Sequence, residues 1–139
     1  MINRVLDLQN LAVRDVTIPL NQVVSVPAHA PVSEVLALAR EHGFSRLPVW
    51  REEQGRRRVA GLLSLWSLLY AEKPAGEKTA GEFLRPALYL DGETRLEAAL
   101  SQMQRTGQRL AIVLERNQAE LGVVSLQDIL KVIFGDVSL

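Results

Sequence analysis

The sequence predicts an α+β fold made of two copies of one β-α-β-β-α unit. Residues 122–130 read GVVSLQDIL and residues 61–69 read GLLSLWSLL, so most positions are identical or exchange one branched aliphatic residue for another. The correspondence continues upstream, where Gly107 matches Gly43 at the end of a helical pattern. Each half has about 60 residues, which is small for an independent core. We therefore expect two tandem repeats packed about a pseudo-twofold axis.

Composition limits the class of protein before any motif is considered. With 139 residues and 47% hydrophobic content, the chain can form one compact domain or two closely packed halves. Its net charge is zero, with 16 acidic and 16 basic residues, which argues against a nucleic-acid-binding surface. The absence of cysteine excludes disulfides and thiolate-bound zinc, and neither His29 nor His42 lies in a metal-ligand spacing. We predict no metal site and no nucleic-acid partner.

The first half begins with a lead-in helix and then follows the repeat pattern. Residues 1–14 carry apolar side chains along one side of a helix, and residues 15–71 form the first repeat. Pro19 favours extended chain before it, and Pro48 predicts an edge position or a bulge for its strand. The predicted elements of this repeat are a strand at 23–26, a helix from Pro31 to Gly43, strands at 47–50 and 59–63 around a charged turn, and a helix from about Ser64.

The second half restarts the pattern after an exposed linker at 72–81, which is rich in Gly, Pro and Lys. Residues 82–139 form the second repeat. Thr94 and Glu97 have the spacing of a capping box at the start of its first helix. Strands at 88–90 and 111–114 precede the strand that leads into the last helix at Ser125.

Ser125 and Asp128 allow two interpretations. Ser125 is a natural N-cap, and Asp128 in the first turn favours the positive end of the helix dipole and can return a hydrogen bond to the cap. The same geometry also suits a ligand. A helix N-terminus offers N–H groups to phosphate, and a carboxylate can accept hydrogen bonds from both hydroxyls of a ribose.

The tandem repeats with the ending Gly-φ-φ-Ser/Thr-x-x-Asp-φ, where φ is apolar, resemble a CBS-domain pair, or Bateman module. More narrowly, the chain resembles the cytosolic CBS pair of the CorC/CNNM (hemolysin C-like) magnesium and cobalt transport family. The residues that carry this resemblance are Val5-Leu6-Asp7-Leu8, Asp15-Val16-x-x-Pro19, Ser45-Arg46-x-Pro48-Val49, Leu84-Arg85-Pro86, Leu110-Ala111-Ile112-Val113 and Leu126-x-Asp128-Ile129-Leu130. In that family the pair follows a transmembrane domain, so the resemblance implies a cytosolic, soluble piece of a longer inner-membrane protein.

The resemblance also implies nucleotide sensing. CBS pairs commonly bind AMP, ADP or ATP, the last often with Mg²⁺, in clefts between the two repeats. By position, the resemblance implies that Asp128 binds the ribose, Ser125 the phosphates or the ribose, and Arg46 a phosphate. Ser45 belongs to the same segment as Arg46, and the apolar residues Ile18 and Leu47 would sandwich the base. Arg46 could instead make only a surface ion pair.

The chain departs from its relatives at two places. It has Ile18-Pro19-Leu20 where relatives usually have Thr-Pro-Arg, and Ser67 where the first repeat would carry its own ribose carboxylate. Two hypotheses follow: a regulatory module that binds an adenine nucleotide and controls an attached transport domain, or a non-binding dimerisation scaffold. We expect a homodimer in either case, with the apolar helix face at 126–134 as a candidate interface. No nucleophile has a paired base, so we predict no enzymatic activity.

Overall fold

The computed structural model describes residues 10–69 and 78–135, which divide into two compact units. The first-repeat unit contains residues 24–69 and 78–87, and the second-repeat unit contains residues 10–23 and 88–135. The strands are β1 (Ile18–Pro19), β2 (Val26–Pro27), β3 (Arg46–Glu53), β4 (Arg56–Ser64), β5 (Leu88–Asp91), β6 (Leu110–Leu114) and β7 (Glu120–Ser125). The α-helices are α1 (Val32–His42), α2 (Leu65–Leu69), α3 (Leu96–Thr106) and α4 (Leu126–Phe134).

The first-repeat unit has a three-stranded sheet in the order β2-β3-β4. Strand β2 runs parallel to β3, and β3 and β4 form an antiparallel hairpin. Helix α1 connects the parallel strands, and α2 follows β4 directly. The order is therefore β-α-β-β-α, as the sequence predicted.

The second-repeat unit has the same order and one additional strand. Its sheet is β1-β7-β6-β5, in which β5 is parallel to β6, and β6 is antiparallel to β7. Strand β1 comes from residues that we assigned to the first repeat, and it pairs antiparallel with the outer edge of β7. The start of the first repeat thus packs on the sheet of the second.

Each unit has its own apolar core, formed where one face of the sheet meets its helices. In the first-repeat unit, Val35 from α1 packs with Leu47 and Leu63 from the hairpin. In the second-repeat unit, Met103 from α3 and Ile129 from α4 pack with Val124 from β7. In the part of the chain that the structure describes, every buried residue other than glycine is apolar. The helices and strands therefore turn apolar side chains toward the two cores.

The helix ends agree with the sequence in most places. Gly43 and Gly107 both have left-handed conformations, with φ of 72° and 71°, and each ends its helix as predicted. The capping box at Thr94 was wrong. Helix α3 begins one residue later, and its N-cap is Arg95, which makes no side-chain cap. The backbone of Thr94 instead accepts from Val13 N–H and donates to Asp91, so it serves the turn before the helix.

Two strand predictions also need correction. Strand β3 is the central strand of its sheet, so Pro48 does not lie at an edge. The ladder with β4 is irregular between Val49 and Trp50, immediately after Pro48, which agrees with the bulge alternative. The predicted strand at 23–26 is much shorter, because only Val26 and Pro27 pair with β3.

Most of the predicted lead-in helix lies outside the described residues, as does most of the linker. The described part of the lead-in segment, residues 10–14, ends within a 3-10 helix at Val13–Val16. The end of the predicted linker is folded: Thr79 pairs with Pro31, and Ala80 is fully buried at the start of a 3-10 helix. These residues belong to the first-repeat unit rather than to an exposed connection.

Candidate functional site

The junction between β7 and α4 has the geometry that the sequence predicted for Ser125. Ser125 is the N-cap of α4, with extended backbone angles, φ −99° and ψ 150°. Its hydroxyl oxygen accepts a hydrogen bond of 3.0 Å from the backbone N–H of Asp128. The backbone N–H of Leu126, the first residue of α4, donates to the carbonyl oxygen of Arg109 at 2.9 Å. The start of α4 is therefore held by its cap and by a backbone hydrogen bond to the residue that precedes β6.

Asp128 does not complete a reciprocal cap. Its side chain is half-buried in the first turn of α4. Among residues 10–69 and 78–135, its carboxylate has neither a hydrogen-bonding partner nor an ionic one. The expected return bond to the cap is absent there, so both carboxylate oxygens are available as acceptors. A carboxylate in the first turn is favoured by the positive end of the helix dipole, and its oxygens can accept hydrogen bonds from hydroxyl groups.

Ile18 lies beside this junction because β1 pairs with β7. Ile18 is opposite Val123 and Pro19 is opposite Gly122, so Ile18 sits two positions before Ser125 along the sheet edge. Gly122 makes this approach possible, since a Cβ atom at that position would collide with the carbonyl oxygen of Ile18. The side chain of Ile18 is 38% exposed. The second-repeat unit therefore brings together Ile18, Ser125 and Asp128.

The remaining predicted residues, Ser45, Arg46 and Leu47, lie in the first-repeat unit. Ser45 is exposed, and its carbonyl oxygen accepts from the N–H of Leu65 at 2.8 Å. Arg46 is also exposed at the start of β3, and no carboxylate of the described chain forms an ion pair with it. The alternative of a surface ion pair for Arg46 therefore finds no partner in this part of the protein.

Leu47 is placed differently from the prediction. Its side chain is 1% exposed and belongs to the core of the first-repeat unit. It offers no apolar surface to a base, so only its backbone is available for contact. The two tryptophans of the first-repeat unit differ in their exposure. Trp50 is half-buried under the guanidinium of Arg57, 4.2 Å from the ring centroid, whereas Trp66 is 56% exposed and is not a core residue.

Sequence reasoning missed two residues near these helix starts. Gly122 permits β1 to approach β7, and Gly61 permits an equivalent approach of Arg85 to β4. The signal was present, because a glycine opens both copies of the nine-residue repeat and both Ile18 and Arg85 precede a proline. We read those glycines only as strand residues.

A separate cavity of about 420 Å³ lies near the start of β7, whereas Ser125 is at its end. An exposed ion pair between Arg14 and Glu93, with an N–O distance of 2.7 Å, borders this cavity. The lining is of mixed charge and contains none of the predicted site residues.

Within residues 10–69 and 78–135, no cluster of three His, Asp or Glu side chains could hold a metal ion. Nor does any helix in these ranges have both the length and the apolar character needed to span a membrane.

The duplicated unit, its sheet order and the capped helix start define the class of protein. The family model for the CBS domain matches residues 13–73 and 80–135, and the chain belongs to this family as a tandem pair of CBS domains. Its fold also matches the CBS domain of a bacterial CNNM/CorC family Mg²⁺ transporter in complex with ATP. The TM-score is 0.85 at 28% identity, and the match covers 98% of this chain and 96% of the other.

The chain is also similar to curated CorC proteins. It is 31% identical over 138 residues to the magnesium and cobalt efflux protein CorC of Pasteurella multocida, and 27% identical to that of Escherichia coli strain K12. Both matches cover 99% of this chain. They cover 45% and 47% of the relatives, so the chain spans a little under half the length of these CorC proteins. The predicted resemblance to CorC/CNNM proteins is confirmed.

Proposed function

We propose that this CBS pair is a regulatory module that binds an adenine nucleotide and controls a magnesium and cobalt transport domain in its parent protein. The observation that carries the proposal is the half-buried Asp128 carboxylate, which lies at the capped start of α4 without a partner in the described chain. Support comes from the relative that shares 28% identity and whose CBS domain was solved in complex with ATP.

The chemistry of the α4 start fits a nucleoside phosphate. Asp128 would accept hydrogen bonds from the two ribose hydroxyls. The hydroxyl proton of Ser125 is available to an acceptor, because its oxygen already accepts from the Asp128 N–H. The exposed side chain of Ile18 would contact the base. Arg46, with Ser45, is proposed to bind phosphate, where a guanidinium fork matches two oxygens.

The substitutions at Ile18 and Leu20 set an expectation for affinity. Compared with Thr-Pro-Arg, this segment lacks one hydroxyl and one cation. Losing one charged hydrogen bond costs about 1.5–3 kcal/mol, which is roughly ten- to a hundred-fold in affinity. We therefore expect a weaker nucleotide site than in relatives with the full motif. Mg²⁺ would arrive bound to the phosphates of ATP rather than to a protein site.

Regulation requires that the nucleotide prefer one arrangement of the module over another. The free energy available for control is only the difference between the ligand's affinities for the two arrangements. The CorC relatives are about twice as long as this chain, which supports a parent protein with further domains. We propose that these include a transmembrane transport domain and that the CBS pair lies on its cytosolic side.

A thermal-shift series tests nucleotide binding. The protein is melted with AMP, ADP, ATP and ATP plus Mg²⁺, and a ligand at 100 times its Kd adds about 2.7 kcal/mol to the free energy of unfolding. Asp128→Asn should remove the shift while keeping the shape of the side chain. Glu34→Gln is a matched control, because Glu34 is an exposed acid in the first turn of α1. An equal shift in the wild type and Asp128→Asn would contradict the assigned site.

The second candidate function is a dimerisation scaffold, and one observation favours it. Phe134 at the end of α4 is 65% exposed. Six of the nine residues of α4 are apolar, and the other three are Gln127, Asp128 and Lys131. We propose that the apolar face of α4 pairs with a second copy of the chain. The scaffold hypothesis predicts dimerisation without any nucleotide shift, whereas the sensor hypothesis predicts both. The thermal-shift series therefore separates the two functions.

A further inference from the structure

The two units build the same backbone arrangement at the end of their antiparallel hairpins. In the second-repeat unit, Ile18 lies against Gly122. In the first-repeat unit, a Cβ atom on Gly61 would lie 2.6 Å from the carbonyl oxygen of Arg85. Arg85 and Leu62 exchange two backbone hydrogen bonds, of 3.0 and 2.9 Å. A short segment thus approaches a glycine in both units.

This duplication gives a residue-by-residue correspondence between the two helix starts. Leu62 and Val123 occupy the same position of the nine-residue repeat, and they pair with Arg85 and Ile18 respectively. Arg85 is therefore the counterpart of Ile18, and Pro86 that of Pro19. In the same way, Ser67 is the counterpart of Asp128, three residues after the serine that precedes each helix.

The chemistry at the two positions differs. The second-repeat unit has an exposed apolar side chain and a carboxylate without a described partner, whereas the first-repeat unit has a cation and a hydroxyl. Arg85 Nε donates to Ser67 Oγ at 3.4 Å, so the guanidinium lies over the position that corresponds to the carboxylate. A single hydroxyl cannot accept from both hydroxyls of a ribose as a carboxylate can. The base-contacting surface that Ile18 offers is also replaced by a charged group.

We infer that Arg85 and Ser67 together prevent the first-repeat helix start from acting as a second ribose site, so that each chain binds one nucleotide. This inference rests on the proposed function for the α4 start, and it names the residues that make the two repeats unequal. Replacing both residues by their counterparts should convert the first-repeat helix start into a second nucleotide site.

Calorimetric titration with ATP and Mg²⁺ measures the number of sites directly. We expect one site per chain in the wild type and two in the double variant Ser67→Asp/Arg85→Ile. Adding Asp128→Ala should lower each value by one. Ser67→Asp alone should leave the number unchanged, because the new carboxylate would pair with Arg85. These five results together distinguish a gained site from a change at the existing one.

The opposite role for Arg85, a phosphate contact in a second site, makes different predictions. It requires two sites in the wild type and the loss of one in Arg85→Ala. Either result would overturn the inference, and so would a folded double variant that still binds one nucleotide. Arg85 is exposed, so Arg85→Ala keeps the test available if the double variant does not fold. If the wild type binds no nucleotide, the proposed function fails and so does the expected count of one site per chain. Binding gained by the double variant would then still support the blocking role of Arg85 and Ser67, whereas no binding by either protein would overturn it.

Discussion

The close approach of β1 to β7 makes Gly122→Ala the most direct test of how the candidate site is built. A Cβ atom at position 122 would collide with the carbonyl oxygen of Ile18, and it would lie 2.8 Å from the carbonyl carbon of that residue and 2.9 Å from Thr17 Cγ2. The first two are backbone atoms, which cannot rotate away. Relief therefore requires β1 to move off the edge of β7, and Ile18 moves with it.

The expected cost combines overpacking with the loss of strand pairing. Forcing an extra carbon into a tight site costs about 1–3 kcal/mol, and each backbone hydrogen bond lost costs roughly 0.5–1.5 kcal/mol. The substitution recovers about 0.4–1 kcal/mol by restricting the unfolded chain. We expect a net loss of about 2–3 kcal/mol in the free energy of unfolding. Gly92→Ala is the matched control, because the nearest atoms to its Cβ lie at 3.4 Å, an ordinary contact.

Thermal unfolding followed by circular dichroism measures this difference. A domain of about 150 residues loses roughly 2–4 °C of Tm for each kcal/mol, so Gly122→Ala should melt at least about 4 °C below Gly92→Ala. The ATP-dependent shift should also decrease in Gly122→Ala, since Ile18 is displaced. Equal Tm values for the two variants would refute the argument that a glycine is required for β1 to dock.

Three further predictions concern the helices. Ser125→Ala removes the cap on α4 and should cost about 1 kcal/mol in chemical denaturation, whereas Ser125→Asp, which keeps an acceptor, should cost much less. Gly107→Ala should cost about 1–2 kcal/mol, because φ there is +71° although no atom lies within 4 Å of the added carbon, and Gly107→Asn should be better tolerated. Phe134→Glu should convert a dimer to a monomer in light scattering after gel filtration. A wild type that is monomeric throughout would contradict the α4 interface.

The element order of each repeat could be predicted from the sequence because the same pattern occurs twice. Apolar spacing, the glycines that end α1 and α3, and the serine that caps α4 occur at corresponding places, so an error in one copy would conflict with the other. The capping box at Thr94 failed because its backbone is engaged by Val13, which is distant in sequence. Local propensity has no access to such a contact, and tertiary structure decided where α3 begins.

The candidate site was harder to predict because it depends on short, long-range pairings. Strand β1 has two residues, which is too few to show a period, and its partner β7 is about a hundred positions away along the chain. Leu47 illustrates a second difficulty. Its position in the motif suggested a base contact, yet its side chain points into the core. In a strand, neighbouring residues face opposite sides, so a motif alone does not show which of them a ligand can reach.

The residues that make the repeats unequal lie where a substitution disturbs no core. The side chains that differ between the repeats, Ile18, Arg85 and Ser67, are exposed or half-buried. The shared structure depends instead on Gly61 and Gly122, which admit the neighbouring segments, and on fully buried aliphatic residues. Substitutions at surface positions usually change stability by less than about 0.5 kcal/mol. One repeat can therefore change its binding chemistry without losing its fold. For the same reason, the presence of two CBS repeats does not fix the number of ligands, and residues 67, 85 and 128 must be considered individually.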